Sequence, residues 1–65
     1  MLKSSCIYLL YYRAPYEDEP ELVCTCEDLP AVYDAIYLYM HKAPDAYPDY
    51  HRFESRPIEF WKKEN

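Results

Sequence analysis

The chain predicts a small α+β domain of ββαβ order, a three-stranded antiparallel-type sheet in strand order 2-1-3 with one helix packed on one face. Three observations carry that prediction. Two short β-type runs flank an acidic, proline-bounded turn; a helical apolar period follows a capping aspartate; and a last apolar run is interrupted by a proline. With 65 residues there is room for one core, so residues 1–65 form a single domain.

Residues 6–13 (CIYLLYYR) are rich in aromatic and aliphatic side chains and read as the first strand. The strand is apolar on both faces, with Ile7, Leu9 and Tyr11 on one and Cys6, Tyr8, Leu10 and Tyr12 on the other. That pattern suits a central strand covered, at least partly, on both sides. Residues 14–20 (APYEDEP) form an acidic turn, and residues 21–27 (ELVCTCE) form the second strand. Its alternation sends Leu22, Cys24 and Cys26 one way and Glu21, Val23, Thr25 and Glu27 the other. The short polar connection favours an antiparallel hairpin.

The helix is expected over residues 29–42. Asp28 caps it, Pro30 sits in the first turn where a missing N–H costs nothing, and Pro44 ends it. At 100° per residue, Leu29, Val32, Tyr33, Ile36, Met40 and Ala43 form the apolar stripe; Tyr37 and Tyr39 flank it, and Ala31, Asp34, Leu38, His41 and Lys42 face away. Residues 50–61 (YHRFESRPIEFW) form the last strand, and Pro57 assigns it to an edge. The helix then joins two parallel outer strands by a right-handed crossover.

Composition narrows the function. The chain has nine tyrosines, six prolines and no glycine, and its formal charge is −5. Residues 16–50 hold nine acids against one base, Lys42, a net of −8. Such a surface repels phosphate backbones, so direct nucleic-acid binding is not expected. It suits a basic partner instead. The topology brings loop 14–20 and loop 44–49 to one end, which should be acidic and aromatic. The candidate partner-binding residues there are Tyr16, Glu17, Asp18, Glu19, Glu21, Asp45, Tyr47, Asp49 and Tyr50. Tyr16, Tyr47 and Tyr50 are expected on the surface, and Tyr33 and Tyr11 in the core. Arg56, Lys62 and Lys63 should gather with Lys3 at the opposite end.

The sheet face left bare by the helix should show one set of first-strand residues, and a second use of the chain is as an assembly module associating through that face or through a strand 2 or 3 edge. Monomer or weak homodimer is the expected state. The three cysteines suggest reduced thiols, and with no export signal in residues 1–12 a soluble cytoplasmic protein is expected. A third use is a Cys/His metal module drawing on Cys6, Cys24, Cys26 and His51. Cys24 and Cys26 share a strand face about 7 Å apart by strand rise, whereas structural zinc favours a CxxC turn. No metal or other cofactor is expected. No GxSxG, HExxH or P-loop occurs, and catalysis is not expected.

With CIYLLYY, the hairpin EDEPELVCTCED, the helix LPAVYDAIYLYMHK and the tail RFESRPIEFW, the whole chain resembles in kind the small acidic proteins of phages and mobile elements of the anti-CRISPR type. That resemblance implies binding to a Cas effector and blocking of target-DNA or guide-RNA engagement, with carboxylates imitating phosphates and tyrosines imitating stacked bases.

Overall fold

The computed structural model describes residues 2–63, with side chains described over residues 6–60. Strand β1 (Leu2–Tyr12) is followed by β2 (Glu21–Cys26), helix α1 (Leu29–Lys42), a 3-10 turn at Tyr50–Arg52, and β3 (Phe53–Lys63). The sheet order is β2-β1-β3, and β1 is antiparallel to both neighbours. The outer strands are therefore parallel to each other, and the ββαβ domain is the one expected.

The strand limits differ from expectation for reasons that lie in pairing. β1 begins at Leu2 rather than at residue 6, because β3 pairs with it over its whole length, from Leu2↔Lys63 to Tyr12↔Phe53. A polar Lys3-Ser4-Ser5 stretch carries little strand signal by itself. β3 begins three residues later than expected. The Asp49 side chain accepts the His51 N–H at 2.9 Å, and the Arg52 N–H donates to the Asp49 carbonyl at 3.1 Å. An aspartate that bonds its own backbone two residues on makes a turn where a strand was expected. Pro57 lies within β3, paired with Tyr8 on an edge strand as expected.

β2 contains a bulge. Leu10 pairs with Cys24 but Tyr11 pairs with Leu22, leaving Val23 as the extra residue. The expected alternation therefore fails at its first member: Leu22 joins Tyr11 on the sheet face away from Leu10, where it is 55% exposed.

The Asp28 carboxylate accepts the Ala31 N–H at 2.9 Å, and the Ala43 N–H closes the helix on the Tyr39 carbonyl. The buried face of the helix is narrower than the expected stripe and rotated from it. Val32 and Ile36 are buried, with Ala31, Ala35 and Met40 packed beside them against Leu10 and Cys26. Leu29 lies outside that face and Tyr33 is 60% exposed, although both were expected inside. Two alanines on the sheet side let the helix approach closely, and the bulky tyrosine is left at the rim. Leu10, with no exposed area, is the centre of the core.

The helix covers Tyr8 and Leu10, Tyr12 on the same sheet face packs against Tyr47 and Phe53, and Ile7, Leu9 and Tyr11 lie half-buried on the bare face. Tyr11 was expected in the core; instead it lies under the Arg56 guanidinium at 4.5 Å from its ring centre. With only two layers the molecule is thin, 47 × 24 × 13 Å.

Candidate functional site: an acidic aromatic groove

Two connections meet at the end of the sheet where β1 stops. The first is tightened by the Glu17 N–H donating to the Ala14 carbonyl at 3.0 Å. The second folds back on the helix end, with both Ala46 and Tyr47 N–H groups donating to the Ala43 carbonyl at 3.0 and 2.9 Å. Between them lies an open groove of about 300 Å³. Tyr12, Ala14, Leu22, Val23 and Tyr47 supply apolar lining, and Glu17, Glu21 and Asp45 supply carboxylates. Tyr16 stands on its rim, 86% exposed.

Five of the nine expected partner-binding residues thus line one groove: Tyr16, Glu17, Glu21, Asp45 and Tyr47. Asp18 and Glu19 are exposed in the same connection, outside the groove lining. Asp49 and Tyr50 are not part of it. Asp49 caps the 3-10 turn and lies 3.7 Å from Arg52. Tyr50 is exposed beside the outer helix surface, sharing a shallow hollow with Tyr33, Tyr37 and His41.

Tyr47 also departs from expectation, being half-buried rather than on the surface. Its ring meets Tyr12 edge-on at 5.1 Å, stacks on Phe53 at 5.7 Å and reaches Tyr39 at 5.2 Å. Helix α1 ends before it covers the last rung of the sheet, and Tyr47 closes that gap. Such aromatic pairs contribute about 0.5–1.5 kcal/mol each beyond burial. Burial, with Cys24 and Tyr47 nearby, pushes the Tyr39 phenol above its ordinary pKa. The Tyr12 hydroxyl is buried with no hydrogen-bond partner among the described residues.

Among the described residues two ion pairs form, Arg52–Asp49 at 3.7 Å and Arg56–Glu54 at 3.2 Å. Neither uses Glu17, Asp18, Glu19, Glu21 or Asp45, so the negative charge of this end is uncompensated by contact.

The cations are distributed differently from expectation. Arg56 does not lie at the far pole; with Arg13, Arg52 and His51 it lines an open cleft of about 620 Å³ behind the acidic end. The β1–β3 register sets this, because Arg56 lies opposite Leu9, near the middle of the sheet. The backbone pairing of Lys3 with Lys62 and of Leu2 with Lys63 is at the far pole, and those side chains lie outside the described ones. Composition alone could not find the cleft; counting register outward from Tyr12 and Phe53 would have.

The thiols do not converge as a Cys3His set would require. Cys24 and Cys26 approach to 3.9 Å between sulfurs, but Cys6 lies four residues along β1 from the rung of Cys24, about 13 Å away by strand rise. Burial, then the Cys24 contact, raises the Cys26 thiol pKa. Among the described residues no group of three or more His, Cys, Asp or Glu side chains is placed to hold a metal ion, and no helix is long and apolar enough to cross a membrane. Comparison of the chain with protein-family models, curated proteins and solved structures found no match.

Proposed function

We propose that the protein is a non-enzymatic inhibitor that binds a basic surface on a nucleic-acid-handling protein, in the manner of anti-CRISPR proteins that block a Cas effector. One observation carries this reading: Glu17, Glu21 and Asp45 converge with Tyr16 around a single groove, free of any paired cation among the described residues. A groove built to receive phosphates and bases offers cations and apolar or aromatic surface. The complementary shape is a rim of carboxylates around an exposed ring, and charge complementarity of this kind speeds association and selects partners.

The test is capture from a host lysate with the wild-type chain and with a variant carrying Glu17→Lys, Asp18→Lys and Glu19→Lys. All three residues lie in the connection before β2, outside the core, so the variant keeps its circular-dichroism spectrum. The wild type should retain a nucleic-acid-binding protein, release it steeply as salt rises, and compete with an oligonucleotide for it. The variant should retain none. Equal capture by both chains would remove the acidic end from the account. Salt-insensitive capture would favour the bare sheet face, where Leu22 and Ile58 are exposed beside half-buried Ile7 and Leu9.

A further inference from the structure

Near the end of the bare sheet face three arginines, Arg13, Arg52 and Arg56, line one cleft. The Arg13 N–H donates to the Arg52 carbonyl at 3.1 Å, one rung beyond the Tyr12↔Phe53 pair. Arg13 and Arg52 are therefore neighbours just past the last rung, Arg52 closing the 3-10 turn, and both line one cleft with Arg56. Like charges placed directly opposite are unfavourable, by a few tenths to about 1 kcal/mol.

The carboxylates nearby do not resolve the conflict. Glu54 is engaged by Arg56 through two bonds at 3.2 and 3.3 Å, and Tyr11 holds that guanidinium from below. Asp49 lies 3.7 Å from the Arg52 Nε, beyond hydrogen-bond reach, and that Nε has no acceptor among the described residues. Arg13 is exposed, and its side chain has no partner among the described residues. Three arginines and His51 thus face two carboxylates in one cleft of about 620 Å³, on a chain whose net charge is −5. Arginine forks match oxyanions bidentately, and two forks need more acceptors than one carboxylate offers.

We propose that this cleft binds a phosphoryl-type oxyanion bridging Arg13 and Arg52. Arg56, fixed by Glu54 and Tyr11, forms the lower wall. The source is free phosphate or the phosphate of a nucleotide. The site is separate from the acidic groove and stands whether or not the groove binds a protein.

The test is a titration with inorganic phosphate at constant ionic strength, read by the arginine side-chain resonances and by thermal melting. The wild type should show saturable shifts at Arg13 and Arg52 and a rising melting temperature. Arg13→Gln should weaken phosphate binding at least about tenfold while leaving the unliganded protein as stable as before or more so, because the opposed charge is gone. Lys42→Gln, which removes a cation from the helix, should leave binding unchanged. A nucleoside 5′-monophosphate binding more tightly than phosphate identifies a nucleotide source; equal binding identifies free phosphate. Shifts that persist in Arg13→Gln, that appear with chloride alone, or that the unphosphorylated nucleoside matches would overturn the proposal.

Discussion

Tyr47 and Tyr50 are three positions apart and have different duties. Tyr47 closes the open end of the core against Tyr12, Phe53 and Tyr39, whereas Tyr50 is exposed with its ring edge against His51. Tyr47→Ala should therefore cost about 2–3 kcal/mol, below the range for a fully buried ring, while Tyr50→Ala should cost less than about 1 kcal/mol. Urea unfolding of the two variants measures this, and equal losses would contradict the assignment. Local sequence could not separate the two, since both follow a proline-aspartate stretch. The difference arises from the Ala43 carbonyl, which takes two N–H groups and turns the chain so that Tyr47 points inward. Tyr16 was legible, because it lies in an acidic, proline-bounded turn, and it is the most exposed of the described large apolar side chains.

At the scale of elements, the helix was written plainly in the chain. Asp28, Pro30 and Pro44 are punctuation with a physical mechanism, and the helix runs between them. Asp28→Ala should remove the bond to the Ala31 N–H and cost about 1 kcal/mol, readable as a lower urea midpoint. An unchanged midpoint would mean that the cap carries no stability. The rotation of the helix was not legible. Periodicity identifies an apolar stripe, but the choice between its two flanks was made by Ala31 and Ala35 meeting the sheet. The bulge at Val23 was hidden for a related reason. ELVCTC alternates without a break, and only its pairing with β1 shows that Leu22 has changed faces. Asp49, one of the expected partner-binding acids, is used by the 3-10 turn, a role set by the backbone bond to His51.

For the whole molecule, strand order and the meeting of the two acidic connections followed from alternating chain direction and from the apolar character of β1. The arginine cleft did not, because the face each residue takes depends on register rather than on composition. Thinness has an energetic side as well. Burial comes first among the causes that raise Cys26, Tyr8 and Tyr39, so the folded chain holds these protons more tightly than the unfolded chain does. The associated stability is complete below the unfolded values, about 8.5 for a thiol and about 10 for a phenol. It is lost as pH rises through the higher folded values. The urea midpoint should accordingly fall between about pH 8 and about pH 10.5. A flat midpoint over that span would show that these groups titrate alike in both states.

Leu2 and Lys63 face each other on the last rung of one ladder, while the acidic groove opens at the other end of that ladder. The described chain therefore enters and leaves at a single pole of a body 47 Å long. A tether attached at Leu2 or Lys63 starts from the pole away from the groove, so a copy held there offers its acidic end outward. The same arrangement makes the two ends near neighbours. Joining Leu2 to Lys63 by a short linker and opening the chain within residues 16–19 would move the chain ends to the groove, and a partner held there would then meet a severed loop.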